Sequence, residues 1–119
     1  MTRWIWVSAI GGASGVVLGA FGAHALQSRL SADALASWNT AVQYHLLHSV
    51  ALLSLALFAA RSGRSIQLPA WLFSAGIALF SGSIYLLVLT ELRWLGPATP
   101  LGGLCFIAGW LSLTTITRR

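Results

Sequence analysis

Charged side chains are scarce in this sequence: only 8% of its 119 residues are charged, whereas an ordinary soluble domain carries about a quarter. The few charges separate four charge-free runs, each 24 to 27 residues long: Trp4–Ser28, Ala34–Ala60, Ser65–Thr90 and Trp94–Thr117. A helix needs ~20 mostly apolar residues to cross a bilayer. The composition therefore excludes most soluble folds and predicts four transmembrane helices.

The residues that usually carry chemistry are also few. The single cysteine, Cys105, excludes an intramolecular disulfide and a multi-cysteine metal site. The only carboxylates are Asp33 and Glu91. Both fall near predicted helix ends, where Asp33 complements a helix dipole and Glu91 can pair with Arg93, so an intramembrane Ser-His-Asp triad is not expected. We assign no catalytic residues and expect a protein that is not an enzyme.

The four runs predict an all-α, up-down-up-down transmembrane bundle that forms a single domain over residues 1–119. We place its helices at approximately 4–27, 32–60, 69–90 and 98–117. Ser31 is the expected cap of the second helix, while Pro69 and Thr99-Pro100 should open the third and fourth. Five tryptophans near the predicted ends are interpreted as interfacial anchors, which leaves Trp110 without an explanation; they are Trp4, Trp6, Trp38, Trp71 and Trp94.

The distribution of arginine predicts the orientation. Two arginines, Arg29 and Arg93, fall on one side of the membrane, and five fall on the other: Arg3, Arg61, Arg64, Arg118 and Arg119. The positive-inside rule then places both termini in the cytoplasm. Because the arginines are scattered over helix ends, the net charge of +5 indicates topology and not nucleic-acid binding. The expected partners are the lipid bilayer and further copies of the chain or a larger membrane complex.

Small residues predict where helices approach closely. In the first helix Gly11, Gly15, Gly19 and Ala23 recur every four residues, and Ser8, Gly12 and Gly22 fall on the same side. The third helix carries a similar stripe of Ser74, Ala78, Ser81, Gly82 and Tyr85. Such faces let helix backbones approach in lipid. We expect the two stripes to be partners within one chain, with a self-association face as the alternative.

Histidine is the informative polar residue, because an imidazole in hydrocarbon is costly unless it meets protein, water or a ligand. Tyr44, His45 and His48 share one face of the second helix. Counting from the predicted ends places these histidines in the outer half of the bundle. His24 and Tyr85 occupy a similar depth, and Gly102-Gly103 would leave space there. The candidate polar pocket is therefore His24, Tyr44, His45, His48 and Tyr85.

Three functions are open for this pocket. The first is a structural hydrogen-bond network. The second is a site for a metal, haem or quinone, with His24, His45 and His48 as the candidate ligands. The third is a proton or ion path, which the lack of intramembrane carboxylates disfavours. We expect His24 and His48 to approach each other, with His45 more peripheral, and the cofactor is left unassigned.

Several short motifs spread over all four helices resemble the YgdD-like family of small bacterial inner-membrane proteins. They are Gly19-Ala20-Phe21-Gly22-Ala23-His24, Trp38, Tyr44-His45-Leu46-Leu47-His48, Leu79-Phe80-Ser81-Gly82-Ser83-Ile84-Tyr85, Thr99-Pro100-Leu101-Gly102-Gly103 and Gly109-Trp110. The resemblance implies a four-helix integral membrane protein with family histidines at positions 24 and 48, and less firmly at 45. It implies no activity. We therefore expect a structural or interaction protein that self-associates or joins a larger complex, with a membrane-embedded ligand-binding protein as the alternative.

Overall fold

The computed structural model describes residues 2–116, and within them it contains five α-helices and no strand. The helices are α1 (Thr2–His24), α2 (Ala32–Ser62), α3 (Gln67–Gly76), α4 (Gly82–Thr90) and α5 (Ala98–Ser112). Four segments are long and apolar enough to cross a membrane: Arg3–His24, Ala32–Ser62, Gln67–Thr90 and Arg93–Thr115. The prediction of an all-α protein with four spans is confirmed. Arg118, Arg119 and the predicted end of the last helix at residue 117 lie outside the described residues.

The third span is one helix with an irregular turn in its middle. A π-helical turn, Ile77–Ser81, joins α3 to α4. Such turns hold an extra residue and free backbone groups from the regular ladder. Here the turn directs the Ser81 hydroxyl toward α2, where it donates to the Ala41 carbonyl oxygen at 2.7 Å. The turn therefore ties the middle of the third span to α2.

The helix ends match the expected local chemistry at α2 and depart from it at α5. The Ser31 hydroxyl accepts the Ala34 N–H at 3.1 Å, so the predicted cap is confirmed. Thr99 was expected to cap the fourth span, but α5 begins at Ala98 and no side chain caps it. The Thr99 hydroxyl instead bonds to the Ser83 hydroxyl of α4. This prediction is wrong because the contact between two helices has taken the side chain away from its own backbone.

The bundle is long and flat, with principal extents of 51 × 26 × 17 Å. A helix with side chains is about 10 Å across, so the thin direction holds fewer than two full helix diameters. Among the described residues α1 packs chiefly on α2, and α5 packs chiefly on α3 and the π-helical turn. The helix α2 also contacts the third span. This arrangement leaves open grooves between helices that a tighter bundle would close.

The glycine stripe of α1 faces α2, so its predicted pairing with the third helix is wrong. A Cβ at Gly22 would lie 2.6 Å from the Trp38 ring, and one at Gly15 would lie 2.6 Å from Leu46 Cδ2. Gly11 and Gly19 meet Ser49 and Val42 of α2 in the same way. Ala23, the fourth member of the predicted stripe, is exposed. The helices approach closely because α2 offers large side chains that only glycine can accommodate.

Two of the five tryptophans interpreted as interfacial anchors are buried in the protein. Trp38 is fully buried, and its indole N–H donates to the Leu18 carbonyl of α1 at 2.9 Å. Trp4 is buried against Trp71, with the two rings edge to face at 5.3 Å. The anchor interpretation is therefore wrong for Trp38 and Trp4, because both fill contacts between helices. Trp6, Trp71 and Trp94 are exposed.

Candidate functional site: two histidine clusters near the middle of the bundle

The antiparallel register of α1 and α2 places two of the histidines in depth. Gly15 lies against His45 and Leu46, and Gly11 lies against Ser49, so His45 and His48 are level with the middle of α1. The expectation that they occupy the outer half is wrong. A buried polar group is most costly at this depth, so the partners of these two rings decide how they are tolerated.

His24 does not join the other histidines. It is exposed at the end of α1. By the register above, His48 is level with residue 12, which is twelve residues, or about 18 Å, from His24 along the helix. His24 lies opposite Gly15 on the helical wheel, and Gly15 faces α2, so His24 points away from α2. The predicted approach of His24 to His48 is therefore wrong.

The first cluster surrounds His48, whose side chain is only 2% exposed. Its ring stacks on Phe106 of α5 with centroids 3.7 Å apart and lies edge to face with Trp110. Phe73 and Tyr44 complete the aromatic surroundings. His48 is thus a polar ring within an aromatic core that joins α2, α3 and α5.

Hydrogen bonds fix the protonation of His48. Its Nδ1 lies 2.7 Å from the Tyr44 carbonyl oxygen, and a carbonyl can only accept, so Nδ1 carries the proton. Its Nε2 accepts the Trp110 indole N–H at 3.0 Å. The ring is therefore neutral, and both nitrogens are occupied. A metal could bind Nε2 only by displacing Trp110.

The second cluster is a chain of hydrogen bonds centred on His45, which is 5% exposed. Its Nδ1 lies 2.9 Å from the Tyr85 hydroxyl oxygen of α4, and its Nε2 lies 3.1 Å from Ser14 Oγ of α1. Ser14 Oγ in turn lies 3.1 Å from the Gly11 carbonyl oxygen. We name the three side chains Ser14, His45 and Tyr85 the relay. It connects α1, α2 and α4 through two side-chain hydrogen bonds.

The relay borders an open groove of about 340 Å³ between α1 and the third span. The Ser74, Ala78 and Gly82 positions of the third helix line this groove and do not pack on the α1 glycines. The prediction that the two stripes are partners fails here because α2 lies between them. Their small side chains leave the groove open instead. Gly102 opens no comparable space, because it lies against the backbone of Phe80 and Leu79.

The predicted pocket is thus divided into two clusters and one separate residue. His45 and Tyr85 meet in the relay, Tyr44 and His48 meet in the aromatic cluster, and His24 lies apart. In residues 2–116 no group of three His, Cys, Asp or Glu side chains could hold a metal ion.

Sequence reasoning missed Ser14 and Trp110 as partners of the histidines. Trp110 had a signal, since it is the one tryptophan away from the predicted helix ends. Ser14 had none, because a serine in a helix usually bonds to its own backbone.

Comparison with known proteins gives a consistent family. Residues 18–103 match a family described as "Protein of unknown function (DUF423)". The UPF0382 membrane protein YwdK of Bacillus subtilis (strain 168) is 44% identical over 115 residues, covering 95% of this chain and 94% of the relative. The UPF0382 membrane protein SAB0533 of Staphylococcus aureus (strain bovine RF122 / ET3-1) is 40% identical over 117 residues, covering 98% and 96%. No solved structure matches the chain.

The relatives also bear on location, because they are bacterial and are named membrane proteins. Together with the four spans, this confirms a multi-pass protein of the bacterial inner (plasma) membrane. The chain belongs to the DUF423 family of membrane proteins, a family of unknown function.

Proposed function

We propose that this protein is a non-enzymatic membrane protein that works by association, either with further copies of itself or within a larger membrane complex. The observation that carries the proposal is the state of its two buried histidines. His45 and His48 use both ring nitrogens in hydrogen bonds, and those bonds join α2 to α1, α4 and α5. Groups committed in this way hold helices together and are not poised for catalysis. The narrower likeness to YgdD-like proteins belongs to the same proposal.

The outward face of α1 is the surface that we assign to association with a second copy. Among the described residues α1 packs chiefly on one neighbour, α2. The side of α1 away from α2 exposes Ile10, Val16 and Val17. The exposed Ala9 and Ala13 lie beside them, and small side chains let another helix approach in lipid.

The test compares two exposed alanines, Ala13 on α1 and Ala108 on α5. We expect native mass spectrometry from lipid nanodiscs to detect a dimer or larger assembly. Ala13→Phe should abolish that assembly because it adds bulk to the proposed surface, while Ala108→Phe should leave it intact. A protein that is monomeric both after purification and in native membrane extracts would overturn the proposal.

A membrane-embedded binding protein is the second candidate function. It is favoured by one observation: the open groove between α1 and the third span is lined by two members of a polar cluster, His45 and Tyr85, as well as by Ser14. A metal or haem bound to three histidines receives no support, since His24 is distant and His48 is fully bonded. An organic ligand such as a quinone is the form of this candidate that the groove supports.

A further inference from the structure

The groove between α1 and the third span has the form of a binding site open to the lipid. Its volume of about 340 Å³ falls at the lower end of the range for small-molecule pockets. The helix α2 forms its floor through His45 and Leu52, and none of its described lining residues is charged. Because its two walls are membrane spans, a molecule can enter sideways from the bilayer. The groove therefore suits an uncharged, largely apolar ligand.

The relay gives this apolar groove one polar point of contact. Ser74 also lines the groove, but its hydroxyl donates to the Ala70 carbonyl of its own helix at 2.8 Å. The Tyr85 hydroxyl bonds only to His45 among the described contacts. A phenol oxygen can donate one hydrogen bond and also accept. Tyr85 thus retains hydrogen-bonding capacity beyond its contact with His45.

The relay has two neutral arrangements that differ in what Tyr85 offers. In the first, Tyr85 donates to His45 Nδ1, His45 Nε2–H donates to Ser14, and Ser14 donates to the Gly11 carbonyl. In the second, Ser14 donates to His45 Nε2, and His45 Nδ1–H donates to the Tyr85 oxygen. The measured distances fit both arrangements, which hold the same number of protons.

Each arrangement suits a different ligand group. In the first, the Tyr85 oxygen can accept from a ligand hydroxyl. In the second, the Tyr85 proton is free to bond a ligand carbonyl. Without a ligand the second arrangement leaves that hydroxyl proton unpaired in an apolar groove, which is unfavourable. A carbonyl compound would therefore select the second arrangement, and an alcohol would select the first.

We propose that this groove binds an uncharged, lipid-soluble molecule that bears a carbonyl or hydroxyl group, with the Tyr85 hydroxyl as its hydrogen-bonding partner. The inference rests on the second candidate function and names the chemical class of its ligand. Ser14 and His45 are positioning residues, because they act on the ligand through Tyr85.

The test uses a long-chain ketone that carries a diazirine and an alkyne, with the protein in phosphatidylcholine nanodiscs. Photolabelling should fall on peptides from α1 and α4. An excess of unlabelled 2-heptadecanone or 1-heptadecanol should suppress it, and heptadecane should not. Tyr85→Phe should weaken ketone binding about fivefold, which corresponds to the loss of one neutral hydrogen bond. Tyr44→Phe is the matched control, since Tyr44 lines a different groove on the far side of α2, and it should leave binding unchanged.

A second variant tests the relay itself. Ser14→Ala removes the partner of His45 Nε2, which favours the arrangement in which Nδ1 donates to Tyr85 and the phenol proton is free. The ratio of ketone affinity to alcohol affinity should therefore rise severalfold, a change that a merely structural role of Ser14 would not produce. It also keeps the test independent of Tyr85→Phe, should that variant fail to fold.

The failures are distinguishable. If labelling is saturable but neither Tyr85→Phe nor Ser14→Ala changes affinity or selectivity, the proposed ligand class is overturned and a binding function remains. If no competitor suppresses the labelling, the groove does not bind such molecules, and the second candidate function is overturned as well.

Discussion

Gly102 marks the tightest approach between helices, and its replacement by alanine should separate α5 from the third span. A Cβ at this position would meet the backbone of Phe80 and Leu79 within the π-helical turn. A side chain can rotate away from an added methyl group, whereas backbone atoms held in a helix cannot. The next residue provides the control, because a Cβ at Gly103 would lie 3.9 Å from Phe80 Cδ2, which is an ordinary van der Waals contact.

The two substitutions separate the steric cost from the helix propensity. Either Gly→Ala change in α5 gains roughly 0.5–1 kcal/mol because alanine loses less conformational entropy than glycine in a helix. Only the change at Gly102 adds a steric cost of about 1–3 kcal/mol, the usual range for overpacking a well-packed core. We place it near the upper end because the obstructing atoms are backbone atoms. Gly102→Ala should therefore be about 2–3 kcal/mol less stable than Gly103→Ala.

The measurement is equilibrium unfolding in mixed micelles with increasing SDS, followed by tryptophan fluorescence. The buried Trp38 makes the emission sensitive to loss of helix packing. Gly103→Ala should unfold at or slightly above the SDS fraction needed for the unmodified protein, and Gly102→Ala should unfold well below it. If the two variants agree within about 0.5 kcal/mol, the close approach of α5 to the π-helical turn is refuted.

Three further predictions address the other contacts. His48→Phe keeps an aromatic ring but leaves the Trp110 N–H unpaired, so it should cost about 1 kcal/mol; an equal cost in the presence of Trp110→Phe would show that the two rings are not coupled. Gly15→Leu should lower the unfolding midpoint because it collides with α2, while Gly12→Leu should be tolerated, since nothing lies within 4 Å of its Cβ. A cysteine placed at the exposed Ser28 should react with an impermeant maleimide only from the side opposite the cytoplasm; labelling from the cytoplasmic side alone would reverse the predicted topology.

The number of spans could be predicted because the bilayer sets a length that the sequence must match. Each charge-free run exceeds the ~20 residues needed to cross hydrocarbon, and each corresponds to one span. Local capping was predictable at Ser31 for a similar reason, since the cap depends on residues three positions apart. These features are read from one segment at a time. Features that depend on two segments were predicted less well.

The membership of the polar clusters shows why. Helical periodicity indicates which residues share a face, but it does not indicate which neighbour that face meets. Gly15 was expected to face the third helix, and that choice turned His24 toward His48. Since Gly15 faces α2, the same 180° separation turns His24 away from α2. A correct geometric relation within α1 thus gave a wrong contact because its reference neighbour was wrong.

The π-helical turn had a further effect that periodicity cannot anticipate. An uninterrupted helix would keep Ser81 and Gly82 on the stripe that begins at Ser74. In the structure Ser74 and Gly82 line the groove, whereas Ser81 is fully buried and bonds to α2. The turn thus gives α2 a polar anchor from the third span without removing the small residues that keep the groove open. Tyr85 follows the turn directly, in α4, and its position above His45 depends on that local geometry. The groove and its polar contact therefore arise from one irregularity in a helix that the sequence predicts to be regular.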